Sequence, residues 1–345
     1  MSKKISMQLI ADRLGISKYS VSQALSGKQG VSEETRAKVL EMAKAMGYRI
    51  NSKKHKPQTE TNKTPNKVNP FIFVWIHSSK LDEPYFWNQV LAGIVNGCGA
   101  LGWNHLIISN SGEDPEFAFP SYADRASCLG MIVIGSLPVS FLLSIKKMEL
   151  PVVLADHEEP LSDLDCVVFS NFDAAKSMCR RLIAEGSKSI IFVGSDDYAV
   201  SFKERWWGCR IAVDEENRTG PHAVALDKWD LPYEGGWIPM LKSKISSLAP
   251  GSIPDSYICA NDQIAVELLN QLKQAGFSIP EQSKVVGFDN IDRAAYSEPS
   301  LTTVELGKEV LGYRAVDALQ HRLSKPGMPP EKIVLSFRLI SRQSG

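Results

Sequence analysis

The apolar pattern changes character twice along the 345-residue chain. In the first fifty residues apolar positions recur at helical spacing in short bursts. Met7, Ile10, Ala11 and Leu14 mark one helix, which Ser6 can cap and Gly15 can end with a tight turn. Val21 and Leu25 mark the inward face of a second helix, capped by Ser17, with Lys18, Tyr19, Ser22 and Gln23 left outside. Val31-Ser-Glu-Glu opens a third, its acids suited to the helix dipole, with Val39, Leu40, Ala43 and Met46 facing inward and Gly47 as the stop. Three short helices with a glycine turn between the first two predict a helix-turn-helix over residues 1–50. The same periodicity also fits a small helical bundle with a solvated charged face.

From Ser52 to Asn69 the chain is polar and proline-bearing with almost nothing to bury, which predicts a flexible linker over 51–69. After Pro70, apolar runs of strand length alternate with amphipathic helical stretches. Phe71–Ile76, Met131–Ile134, Val152–Ala155, Val167–Phe169, Ile190–Val193, Ala223–Leu226, Ser256–Ala260 and Lys284–Phe288 are such runs. Continuous apolar strands separated by helices imply parallel sheets covered on both faces. So many units over residues 70–345 predict an α/β domain of two doubly wound parallel-sheet lobes, in which ligands bind beyond the carboxyl ends of the strands.

Charge divides the chain in the same place. Residues 1–56 carry twelve Lys or Arg against four Asp or Glu, a net of +8, and the rest of the neutral chain carries −8. A basic head on an acidic body can attract phosphates at one end while the other repels them. No signal-peptide pattern or run of membrane-spanning length is present, which predicts a cytoplasmic protein with no membrane partner. The six cysteines are scattered, without Cys-x-x-Cys or zinc-ligand spacing, and read as reduced packing residues.

Catalytic and cofactor fingerprints are missing. The chain has no Gly-x-Gly-x-x-Gly, no phosphate-cradling Gly-x-x-x-x-Gly-Lys-Ser/Thr, no Gly-x-Ser-x-Gly and no metal-spaced histidine pair. The six histidines are dispersed and read as structural or surface residues. We therefore expect no enzyme activity, no cofactor and no metal.

The string Ile10-Ala-Asp-Arg-Leu-Gly-Ile-Ser-Lys-Tyr-Ser-Val-Ser-Gln-Ala-Leu-Ser-Gly, with Val31-Ser-Glu-Glu-Thr-Arg-Ala-Lys-Val-Leu and Met46-Gly-Tyr, resembles the headpiece of the lactose-repressor (LacI/GalR) family. Glu83-Pro-Tyr-Phe-Trp, Pro151-Val-Val-Leu-Ala-Asp, Ile190-Ile-Phe-Val-Gly-Ser, Arg205-x-x-Gly, Cys259-Ala-Asn-Asp-Gln-Ile-Ala, Val285-Val-Gly-Phe-Asp-Asn and Leu301-Thr-Thr-Val continue the resemblance in the family's order. Their shared order is more specific than any one string. The resemblance implies a DNA-binding transcription regulator, a repressor, with a small all-α helix-turn-helix headpiece and a periplasmic-binding-protein-like domain.

On that resemblance the second helix enters the major groove, with Lys18, Tyr19 and Gln23 reading bases. Ser6, Ser17, Ser22, Ser32 and Thr35 become phosphate contacts, although each serine also fits a plain helix cap. The implied ligand cleft contains Phe86, Asp156, Ser201, Arg205, Trp229, Asn261 and Asp289. Carboxylates accept from vicinal hydroxyls, an arginine fork donates, and an aromatic face takes the C–H side of a sugar ring. The implied partners are a palindromic double-stranded operator, a second copy of the chain as homodimer, and a small effector, a sugar. An alternative reading keeps the headpiece and has the large domain answer to a protein partner.

The lobes are expected at 70–165 with 301–327, and at 166–298 with 330–341. One departure from the family pattern stands out. Tyr48 is followed by Arg-Ile-Asn-Ser-Lys-Lys-His-Lys-Pro, so Pro57 occupies the place of the leucine that the family wedges into the minor groove. This predicts weaker coupling through the linker.

Overall fold

The computed structural model describes residues 6–26, 31–46, 70–110, 119–120, 123–221, 223–233, 235–248 and 252–345. The chain divides into two compact units, Met1–Lys67 and Val68–Gly345. The linker and its Pro57 lie outside the described residues.

The small unit holds three helices, α1 (Met7–Leu14), α2 (Lys18–Ser26) and α3 (Glu33–Ala45). Gly15 ends α1 in the left-handed region at φ 65°, a conformation that glycine adopts without steric cost. Ser6, Ser17 and Ser32 each accept a backbone N–H in a first helical turn, from Leu9, Ser20 and Thr35 at 3.4, 3.0 and 3.2 Å. Ile10, Ala11, Val21, Ala24, Val39 and Ala43 form the core. Leu40, expected inward, is 41% exposed. The buried face of α3 is the Val39–Ala43 row, and a residue one step on turns about 100° away from it.

The large unit is two parallel-sheet lobes. The first sheet contains β1 (Phe71–His77), β2 (Asn104–Asn110), β3 (Cys128–Ile134), β4 (Val152–Ala155), β5 (Asp165–Phe169) and β11 (Lys332–Leu335), in the spatial order β11-β5-β4-β3-β1-β2. The second contains β6 (Ser189–Val193), β7 (Ala225–Trp229), β8 (Ser256–Cys259), β9 (Lys284–Phe288), β10 (Thr302–Leu306) and β12 (Phe337–Ile340), in the order β12-β10-β9-β8-β6-β7. All described pairings are parallel except β10 with the edge strand β12. Phe71–Ile76 is buried at every position, as a strand covered by helices on both faces must be.

The helices of the first lobe are α4 (Pro84–Leu101) and α5 (Val139–Lys146); those of the second are α6 (Asn171–Ala184), α7 (Val200–Thr219), α8 (Trp237–Ser246), α9 (Asp262–Gln274) and α10 (Asp292–Tyr296). The last helix, α11 (Lys308–Ser324), follows a second-lobe strand yet packs on α4 and on β3, β4 and β5. Its contact with α4 is backbone to backbone. A Cβ built on Gly93 would stand 2.0 Å from the Glu309 carbonyl oxygen, and one on Gly312 2.1 Å from that of Val90.

The lobe limits differ from those expected. Strand β5 keeps residues 166–169 in the first lobe, Thr302–Leu306 joins the second sheet, and Lys332–Leu335 returns to the first. The chain therefore crosses between lobes three times, after β5, after β10 and between β11 and β12. Four-residue strands such as β11 and β12 carry too few side chains to announce which sheet they join. All six cysteines are free and buried.

Candidate ligand cleft and DNA-facing helix

The cleft forms where the carboxyl ends of both sheets face one another. Loops after β1, β3 and β4 deliver Lys80, Glu83, Gly135, Ser136, Asp156 and His157 from the first lobe, joined by Phe86 and Trp87 from the start of α4. Segments after β6, β8 and β9 deliver Tyr198, Ser201, Phe202, Arg205, Asn261 and Asp289 from the second. The atom-free space between them, open mouth included, is about 540 Å³.

Arg205 organises the second-lobe wall. It lies one and a half turns into α7 and is 3% exposed. Its Nε donates to Asn171 Oδ1 at 3.0 Å, Nη1 to the Ala260 carbonyl at 2.5 Å and Nη2 to Asp289 Oδ1 at 3.1 Å. Below it lies the Phe288 ring, 4.7 Å from the guanidinium carbon. Three of the five guanidinium N–H groups are thus committed, and the fork is held in one orientation.

Two cleft carboxylates sit at strand ends in strained backbone. Asp156 follows β4 at φ 58°, and Asp289 follows β9 at φ 104°. Besides accepting from Arg205, Asp289 offers its carbonyl to the buried Lys308 ammonium at the start of α11. Among the described residues Asp156 has no such cation in contact, and burial pushes its carboxyl up to about 7 despite the fields of Arg205 and Lys80. Asn261 caps α9, its Oδ1 accepting from Ile264 N at 2.9 Å, while its Nδ2 donates to the Tyr233 hydroxyl at 2.8 Å. Its amide both closes the helix and meets the cleft.

A hydrogen-bonded chain crosses the cleft between lobes. Lys80 Nζ donates to the Tyr198 hydroxyl at 3.1 Å, and that hydroxyl donates to Glu83 Oε1 at 2.7 Å. Burial raises the Glu83 carboxyl, and the Tyr198 bond opposes the rise. Tyr198 also packs edge-on against Tyr233, ring centres 4.7 Å apart.

Six of the seven cleft residues expected from the sequence line this space: Phe86, Asp156, Ser201, Arg205, Asn261 and Asp289. Trp229 does not. It ends β7 with its ring 5.2 Å from that of Tyr257, inside the second-lobe core. The aromatic faces at the cleft belong instead to Phe86, Trp87, Tyr198 and Phe202. Lys80, Glu83, Trp87, His157 and Tyr198 went unselected, although each lies in or just after a loop leaving a strand, and His157 adjoins Asp156.

On the headpiece, Lys18 and Tyr19 open α2 and point to solvent, Tyr19 with 72% of its surface exposed. Ser22 lies one turn on from Lys18 and is exposed, while Gln23 is half-buried. Ser32 Oγ and Thr35 Oγ1 stand 2.8 Å apart at the start of α3. Both hydroxyls therefore sit at a helix N-terminus, where backbone N–H groups suit phosphate oxygens.

Comparison with known proteins agrees with both halves of this description. Residues 6–51 match the model for bacterial regulatory proteins of the lacI family, and residues 179–345 match that for a periplasmic binding protein-like domain. The HTH-type transcriptional repressor PurR of Mannheimia succiniciproducens is 23% identical over 342 residues, covering 97% of both chains. Among solved structures, the transcriptional regulator CelR–cellobiose complex aligns over 99% of this chain and 100% of its own, at 20% identity and a TM-score of 0.65. The lac repressor dimer bound to operator and the anti-inducer ONPF aligns over 99% of both chains, at 20% identity and a TM-score of 0.63. With a lacI-type headpiece ahead of a two-lobed binding domain along one chain, the protein belongs to the LacI family of DNA-binding transcription regulators.

Proposed function

We propose that the protein represses transcription as a homodimer and that a sugar held between its lobes sets its affinity for a palindromic operator. The observation that carries this reading is the cleft itself: a buried arginine fork, two carboxylates at strand ends and aromatic walls, contributed by both lobes. A ligand touching both walls binds the closed arrangement more tightly than an open one, and only such differential binding can shift a two-state protein. The chain's three crossings between lobes are the places where rotation can occur. The CelR relative, of the same fold, carries cellobiose in its solved complex, which supports a saccharide here.

Lys18, Tyr19 and Gln23 of α2 read base edges, and Ser6, Ser17, Ser22, Ser32 and Thr35 hold the phosphates. The exposed N-terminal face of α2 supports this for Lys18 and Tyr19; Gln23 is half-buried with its amide oxygen buried, so its base contact falls to the amide nitrogen. Three of the five hydroxyls also cap helices; Ser6 retains a lone pair and its own proton for phosphate, while Ser17 and Ser32 each share one further hydrogen bond with the hydroxyl of Ser20 or Thr35 and keep one of the two. The protein senses its ligand and does not turn it over.

The test has two stages. Selection from random duplex DNA by the full chain should enrich a palindrome, and titration of that duplex with the sugars that raise the melting temperature should change its affinity by about 5- to 150-fold. Enrichment of no sequence would overturn the operator reading. A ligand that stabilises the protein and leaves operator affinity unchanged would overturn the regulatory one.

A further inference from the structure

Two residues of the cleft lining each carry a polar atom with no hydrogen-bond partner among the described residues. Trp87 Nε1 and His157 Nε2 are both buried and make no hydrogen bond, and their residues are 5% exposed each. Both residues line the cleft from the first lobe, as does Asp156, for whose carboxylate no protein donor is found among the described residues. A buried indole N–H or imidazole nitrogen left unmade costs about 1–3 kcal/mol. Such atoms are retained where something else satisfies them.

Resting on the proposed cleft, we propose that Trp87, His157 and Asp156 form a specificity subsite that selects an uncharged, polyhydroxylated ligand over its phosphorylated or amino counterpart. The chemistry of the three groups decides between classes. Trp87 can only donate, Asp156 ionised can only accept, and neutral His157 does one or the other at Nε2 according to tautomer. Burial lowers the His157 basicity and so favours that neutral ring. An ammonium group would suit Asp156 but offers nothing to the Trp87 N–H. A phosphate would suit Trp87 but would meet Asp156, Glu83 and Asp289 together.

The two cleft cations are already engaged: Arg205 with Asn171, Ala260 and Asp289, and Lys80 with the Tyr198 hydroxyl. Arg205 is paired with Asp289, and Lys80, whose hydrogen bond goes to a neutral hydroxyl, keeps its charge but shares the cleft lining with two further carboxylates, Asp156 and Glu83. A hydroxyl both donates and accepts, and adjacent hydroxyls on one ring supply all three needs without adding charge.

The experiment uses the full chain with neutral aldopentoses, aldohexoses and disaccharides, the hexose 6-phosphates and the 2-amino hexoses as probes, read by thermal shift and calorimetry. A neutral sugar should stabilise the protein, and its 6-phosphate and amino analogues should not. One monodeoxy analogue of that sugar should bind about three- to tenfold more weakly, the range that one hydrogen bond supports. That penalty should vanish in Trp87→Phe or in His157→Gln, whichever residue met the missing hydroxyl. A residue with only a packing role would leave the deoxy penalty intact.

Persistence of every deoxy penalty in both variants overturns the subsite, as does stabilisation by the phosphates or amino sugars alone. In either case Asp289→Asn separates the two proposals. If it abolishes the response, the cleft stands and the subsite falls. If it leaves the response unchanged, the ligand binds elsewhere and the cleft itself is refuted. A melting temperature unmoved by every probe overturns the neutral-sugar class.

Discussion

Arg205 Nη2 lies 3.1 Å from Asp289 Oδ1, with 3% and 12% of the two side chains exposed. The pair ties the second turn of α7 to the end of β9, and Asp289 passes the tie to Lys308 at the head of α11. Because α11 packs on the first lobe, the cleft wall of one lobe is bonded to a helix of the other. Removing one member of a buried pair strands the other charge. Arg205→Ala should therefore cost about 3–5 kcal/mol in urea unfolding, besides abolishing ligand response. A loss below about 1 kcal/mol, the level of a surface pair, would refute the structural role.

Asp156 titrates near the working pH of a cell. Its carboxyl, at about 7 against 3.8 for a free side chain, keeps a proton that the unfolded chain releases across that interval. Its contribution to stability is therefore full below the unfolded value, declines as pH rises between the two, and is lost above about 7. Arg205, Lys80, Asp289 and Glu204 supply the surrounding fields, with His157 next in sequence. Ligand hydroxyls donate more strongly to the ionised form, so affinity should rise from about pH 6 to about pH 8. Calorimetry on Asp156→Asn should give a flat profile, and a slope unchanged from the parent would sink the assignment.

The helix pair α4–α11 offers a contrast between glycines on one helix. At Gly93 a methyl group meets a backbone carbonyl, whereas at Gly99 it meets nothing within 4 Å. Gly93→Ala should destabilise by about 1–3 kcal/mol through overpacking. Gly99→Ala should stabilise by roughly 0.5–1 kcal/mol through helix propensity alone. Equal effects of the two, measured by chemical denaturation, would contradict the close backbone approach.

Two headpiece substitutions should fail in different ways. Ser32→Ala removes the N-cap of α3 and should lower headpiece stability by about 1 kcal/mol. Tyr19→Ala, 72% exposed, should leave stability unchanged and relax base preference at one operator position by about 1–3 kcal/mol. Loss of affinity that is uniform across all sequences, with a shallower salt dependence, would reassign Tyr19 from base reading to the phosphates.

Much of this protein was legible before any coordinates. Helical spacing, serine caps and a terminal glycine announced the headpiece, because those signals act within a single turn. Val152–Ala155 and Lys284–Phe288 appeared at their observed limits, because a strand buried on both faces must be apolar along its buried positions, and Lys284 stands at the half-buried first position. Family strings assigned Arg205, Asn261 and Asp289 to a cleft, and the fold brings all three into one lining.

What the linear chain left open depended on partners far away in sequence. Trp229 carries the chemistry of a sugar platform, and only its packing on Tyr257, from another strand, turns it into core. His157 read as a structural or surface residue and Trp87 only as part of a family string, until the fold put both in the cleft lining with one atom of each lacking a partner among the described residues. Strands β10, β11 and β12 joined sheets that the local pattern could not name, since pairing is settled by the edge each finds free. Local periodicity and capping were determined by the sequence itself because their physics spans a few residues. The membership of each lobe and the atoms that remain for a ligand were decided only by tertiary structure, because hydrogen-bond partners and sheet edges exist only once distant segments meet.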